Sequence, residues 1–210
     1  MSIKIRLIIM NFLQFAVWGA YLTSMGSYLV NVGLHEHIGM FYAMQGIVSL
    51  FMPAVLGIIA DRWIPAQKLL SFSHFTAALF MAAAGYYGMT KGADVDFGTL
   101  FTLYSLSVAF YMPTLALSNS VAYTALDKAG LDTIRTFPPI RIFGTIGFIC
   151  SMWVVDLLGL QNNYGQFFAC AIIGVAYGVY ALTLPECPTS KGDNAKSLVE
   201  ALGLRAFTLF

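Results

Sequence analysis

The chain has 210 residues, of which 59% are hydrophobic and only 10% charged, against about 25% charged in a soluble domain. So few charges cannot cover the surface of a compact water-soluble domain, and apolar residues are too abundant for disorder. Most of the solvent must be lipid: at about 20 apolar residues per span, the length holds six spans with no room for a soluble domain. The net charge of +1 carries no footprint of a nucleic-acid partner.

Apolar runs fall at about 7–30, 38–60, 67–89, 97–122, 139–158 and 164–184, with short polar breaks between them. The first run follows Lys4 and Arg6 and is far longer than the roughly 7–15-residue apolar region of a signal peptide, so it reads as a retained helix. In it Asn11, Gln14 and Trp18 share one helix face. Amides are costly against lipid, so this face points into the bundle, either to join helices or to meet a solute. In the second run Gln45 and Ser49 form another polar pair, and Pro53 is expected to kink the helix. His74 stands alone in the third run and reads as a packed core histidine rather than a proton relay. Pro113 is expected to kink the fourth run, which closes with Asn119 and Tyr123.

The fifth run carries the chain's most informative charge. Pro138 and Pro139 suit the first turn of a helix, which puts Arg141 about one turn in. There it either snorkels to the cytoplasmic interface or donates hydrogen bonds to a polar solute in a cavity. Arg141, Thr145 and Phe148 stand at i, i+4 and i+7, so a guanidinium, a hydroxyl and an aromatic ring share one face and could bind a heterocycle. Gly144 and Gly147 lie on other sides, where they let neighbouring helices approach. The sixth run contains Gly174-Val-Ala-Tyr-Gly178, a small-xxx-small pattern that suits packing within the bundle or a dimer seam. After Pro185 the chain turns polar and reads as a linker, and Ser197–Phe210 reads as an interfacial amphipathic helix. The chain then stops without a polar tail, which suggests truncation before further spans.

Lys and Arg set the orientation. One side carries Lys4, Arg6, Arg62, Lys68, Lys128, Arg135, Arg141, Lys191, Lys196 and Arg205, whereas the other carries Lys91 alone. The asymmetry puts both termini in the cytoplasm. Cys150, Cys170 and Cys187 match no metal spacing and read as small hydrophobes, so no metal or cofactor is expected. Hydrolase, zinc-protease and nucleotide-loop motifs are absent from the sequence, and no span carries an acid near its middle. The chain is therefore not expected to be an enzyme.

Span two ends in Gly57-Ile-Ile-Ala-Asp61-Arg62, with Lys68 beyond. This resembles the signature loop between helices two and three of the major facilitator superfamily, although Ile64-Pro65 replaces its usual Gly and Arg. Four longer strings are more specific: Phe12 to Thr23, Phe51 to Trp63, Tyr111-Met-Pro113-Thr114, and Phe137 to Phe148. Together they resemble the nucleoside:proton symporter family over the whole length; Tyr21 and Phe143 depart from the Trp of enteric relatives. The resemblance implies the N-terminal half of a twelve-helix fold, itself a 3+3 inverted repeat, in a bacterial cytoplasmic membrane. It implies nucleoside and proton as substrates, a missing C-terminal half as partner, and Arg141, Thr145 and Phe148 as solute contacts, to which Gln14 and Trp18 are added from their shared face. Gly57, Asp61 and Arg62 would form a gating loop. Two other readings remain at this point: a superfamily transporter of a sugar or drug, and a self-associating six-span channel or structural membrane protein.

Overall fold

The computed structural model describes residues 2–189, so the expected interfacial helix at 197–210 lies outside the described residues. The described chain is all-helical: α1 (Ile3–Gly19), α2 (Met25–Asn31), α3 (Ile38–Arg62), α4 (Ala66–Lys91), α5 (Phe97–Tyr111), α6 (Thr114–Lys128), α7 (Thr133–Leu157) and α8 (Gly165–Ala181), with a short 3-10 turn at His35–His37. Four stretches are long and apolar enough to cross a membrane: His35–Arg62, Ala66–Lys91, Phe97–Lys128 and Thr133–Leu157. Gly165–Ala181 is a shorter apolar helix, and α1 with α2 forms an interrupted one.

Local chemistry sets the ends of these helices. Asp96 Oδ2 accepts the Thr99 amide at 2.8 Å and caps α5. Asp132 Oδ1 accepts the amides of Ile134 and Arg135 at 2.9 and 3.2 Å and caps α7. Gly130 and Gly159 close α6 and α7 at positive φ. In both, the following amide reaches back five residues, Leu131 to Leu126 and Leu160 to Val155, which satisfies carbonyls that the helix leaves free.

The prolines act differently from one another. Pro113 separates α5 from α6, and the Thr114 hydroxyl donates to the Tyr111 carbonyl at 2.5 Å. Pro53 sits inside an unbroken α3. Pro138 and Pro139 do not open α7, as the sequence suggested; the helix starts at Thr133 and contains both. Asp132 supplies the cap, and the carbonyls that lose donors to the prolines belong to the first, exposed turn, where Ile134 is 86% exposed and water can serve them.

α1 lies at the centre and packs on α7, α8 and α6, while α4 packs on α5 and α8. The α1–α7 seam is a backbone-to-backbone contact. A side chain at Gly147 would overlap the Phe12 carbonyl, and one at Gly19 would overlap the Phe148 backbone. Ser151 Oγ donates to the Ala16 carbonyl across the same seam at 2.6 Å. Gly174 and Gly178 face Ala78 and Phe75 of α4, and Ser71 Oγ donates to the Gly178 carbonyl at 2.7 Å, so this small-residue pattern serves packing within the chain. Beyond α8 the Cys187 amide donates to Gln67 Oε1 at 3.0 Å and Lys128 Nζ to the Glu186 carbonyl at 2.7 Å. Cys187 is thereby buried, and burial pushes its thiol pKa up.

Candidate functional site

The later start of α7 changes the setting of Arg141. It stands roughly two turns inside the helix, about 12 Å along the axis from Thr133. Its guanidinium lies over the Phe15 ring of α1, 3.8 Å from the centroid, a cation–π arrangement. Gly144 makes this possible: a Cβ there would sit 2.7 Å from both Arg141 Nη1 and Phe15 Cδ2. Phe15 continues to Trp18 at 6.2 Å, and Trp18 meets Phe148 edge-on at 6.2 Å and 87°. One cation and three rings from α1 and α7 therefore form a contiguous wall. Arg141, Phe15, Trp18 and Phe148 are half-buried, and Thr145 on the same α7 face is exposed.

The wall is held from behind. Trp18 Nε1 donates to Gln45 Oε1 of α3 at 2.8 Å, and Ser49 Oγ donates to the Gln45 carbonyl at 2.7 Å. Arg141 has no carboxylate within salt-bridge distance among the described residues, whereas Arg135 on the same helix pairs with Asp132 at 3.5 Å. A guanidinium carries five N–H donors in a fixed fork, so Arg141 keeps donors for a polar solute while its face rests on Phe15.

Gln14 is placed otherwise than the solute-contact expectation. It is fully buried, its Nε2 donates to Thr114 Oγ1 at 2.9 Å, and its Oε1 lies 3.3 Å from His74 Nε2. Its carbonyl accepts from Tyr111 Oη at 2.7 Å. Gln14 joins α1 to α4 and α6 behind the wall rather than lining it. Asn11 is likewise turned inward, donating to the Leu7 carbonyl at 3.0 Å. His74 is fully buried, with Tyr177 and Tyr111 ring centroids at 4.2 and 5.7 Å, the packed core histidine that its isolation in the third run suggests.

Gly57, Asp61 and Arg62 lie on the last turns of α3, away from the wall. Asp61 is exposed, Arg62 is half-buried, and a Cβ at Gly57 would meet nothing within 4 Å. Sequence reasoning gave Phe15 no role, although it stands one turn before Trp18 on the same helix side. It also missed Thr114, whose partnership with Gln14 spans 100 residues of chain.

A wall of this kind offers ring faces and N–H donors to a polar, planar solute. The nucleoside H+ symporter family matches residues 1–210, and the chain belongs to that family of transporters. It is 41% identical to the xanthosine permease of Escherichia coli (strain K12) over 215 residues, covering 100% of this chain and 49% of that one. It is also 41% identical to the nucleoside permease NupG of the same organism over 214 residues, again covering 100% and 49%. A crystal structure of a variant of the nucleoside transporter NupG superposes with a TM-score of 0.90 at 38% identity, covering 100% of this chain and 51% of that one. The chain spans about half the length of the relatives it matches.

Proposed function

We propose that these residues form the N-terminal half of a proton-coupled nucleoside transporter of the bacterial cytoplasmic membrane. The reading is carried by the match of this whole chain to about half of a nucleoside permease, together with the Arg141–Phe15–Trp18–Phe148 wall on α1 and α7. In it, α1 and α2 together make the first span, α5 and α6 together the fourth, and α3, α4, α7 and α8 the remaining four, arranged as two inverted three-helix repeats. The distribution of Lys and Arg supports cytoplasmic termini.

Arg141 donates hydrogen bonds to the nucleoside from the edges of its guanidinium, in the plane of the group whose face rests on Phe15. Thr145 contributes its exposed hydroxyl, and Phe148 and Trp18 present ring surfaces to the base. Gln14 acts as a positioning residue. The second six-helix half completes the cavity, and rocking of the two halves alternates access. Asp61 and Arg62 at the end of α3 help latch the cytoplasmic side, with Gly57 leaving its helix face open to the partner half.

The test is uptake of labelled uridine and adenosine by cells expressing the complete transporter, with and without a protonophore. Saturable uptake that collapses with the protonophore is expected. Uptake of a sugar or drug, with no nucleoside uptake at measurable expression, would overturn the reading.

A further inference from the structure

A cavity of about 10 Å³ lies between α1, α4, α5 and α8, and its lining includes Tyr21, His74, Met81, Ser107, Tyr111 and Cys170. That volume matches a single water, which needs two to four polar partners. Two atoms of the lining side chains, Tyr21 Oη and His74 Nδ1, are buried and make no hydrogen bond of good geometry to a protein group; the hydroxyl nearest Tyr21 is that of Tyr104, which is buried and unpartnered in the same way. Both side chains are essentially inaccessible, at 1% and 0%.

The surrounding network fixes which of these two donates. Thr114 spends its one hydroxyl proton on the Tyr111 carbonyl, so its oxygen must accept from Gln14 Nε2. The Gln14 amide is then oriented with Oε1 toward His74, and an amide oxygen only accepts. His74 Nε2 therefore carries the ring proton and donates across the 3.3 Å separation. In the neutral ring this leaves Nδ1 as a bare acceptor. Tyr21 is the complement, an O–H that makes no hydrogen bond of good geometry to a protein acceptor. Ser107 and Tyr111 donate elsewhere, to the Ala77 and Gln14 carbonyls at 2.8 and 2.7 Å, and so offer only lone pairs to the cavity.

We infer that the cavity is a binding site for one water, which accepts from Tyr21 Oη and donates to His74 Nδ1, with its second proton directed to Ser107 Oγ or Tyr111 Oη. Tyr21 Oη and His74 Nδ1 then each have a complement, and no ion is needed. Tyr21 stands at the interruption between α1 and α2, where the helix ladder is broken. The water ties that interruption to His74 of α4, whose other ring nitrogen meets the Gln14 amide.

The experiment is solid-state NMR on the complete transporter in lipid, with ¹⁵N-labelled histidine. The His74 signal is assigned by its loss in His74→Asn or, should that variant not fold, by paired labelling of Ser73 and His74. The expected result is a proton on Nε2, a hydrogen-bonded Nδ1, and magnetisation transfer from water to Nδ1. Tyr21→Phe keeps the ring's shape, and it is expected to weaken that transfer and move the Nδ1 shift toward that of a free imine nitrogen. A proton on Nδ1, no transfer from water in the unmodified protein, or an Nδ1 signal indifferent to Tyr21→Phe would each overturn the bridge.

Discussion

Gly147→Ala probes the seam on which the proposed solute wall depends. The new Cβ would lie 2.8 Å from the Phe12 carbonyl carbon and 3.0 Å from its Cα, closer still to its oxygen, where ordinary contact starts at 3.4 Å. These are backbone atoms of α1 and cannot swing aside, so the two helices must part by about 0.6 Å at this level to clear the carbonyl carbon alone. Overpacking of this kind costs about 1–3 kcal/mol. The Ser151–Ala16 bond one turn away, at 2.6 Å, lengthens with the seam, and its loss would add about 1 kcal/mol. The expected total is about 2–4 kcal/mol. The assay is thermal unfolding of the purified complete transporter in detergent, with Gly39→Ala as control, since a Cβ at Gly39 meets nothing within 4 Å. Gly147→Ala should lower Tm clearly while Gly39→Ala leaves it level or slightly raised. An unchanged Tm for Gly147→Ala would refute the claim that α1 and α7 meet backbone to backbone.

Three further outcomes follow from the same geometry. Arg141→Lys keeps the charge but loses the planar fork and its stacking on Phe15; charge-assisted hydrogen bonds contribute about 1.5–3 kcal/mol each, so the apparent KM for nucleoside uptake should rise roughly tenfold or more. An unchanged KM would take Arg141 out of the site. Thr114→Val removes the acceptor for the buried Gln14 amide and should cost about 1–3 kcal/mol of stability, visible as a lowered Tm; Ser107→Ala, whose hydroxyl donates to one protein carbonyl and leaves Tyr111 Oη to accept from the cavity water, should cost less. The Asp96 carboxyl is held below the ordinary carboxylate pKa by hydrogen bonds from the Thr99 amide and hydroxyl. A depressed pKa means that its stabilisation is complete above the unfolded value of about 3.9 and fades as pH falls through the lower folded value. Asp96→Asn should flatten that part of the acid side of a Tm–pH profile, and profiles that superimpose would contradict the capping role.

The bundle's membrane character was legible from composition alone, because local hydropathy and span length are set by the chain's own residues. The wall was partly legible: Arg141, Thr145 and Phe148 share a face at helical spacing, and backbone geometry guarantees such a face wherever the helix forms. The start of α7 was not, because the two prolines advertise a helix entrance while the actual cap, Asp132, lies six residues earlier and depends on exposed carbonyls being served by water.

Gln14 shows where sequence reading ends. Its face was correctly directed into the bundle, yet no spacing rule could tell a solute from Thr114 and His74, which lie 100 and 60 residues away along the chain. Phe15 is similar, since its value as a platform for Arg141 exists only when Gly144 lets α1 and α7 close. The sequence by itself determined the solvent, the helices and the chemistry available on each face, because these follow from local periodicity and transfer energetics. Which faces meet, and hence which polar groups are consumed within the bundle and which are left for a solute, was decided by tertiary packing, because distant side chains compete for the same few buried donors and acceptors.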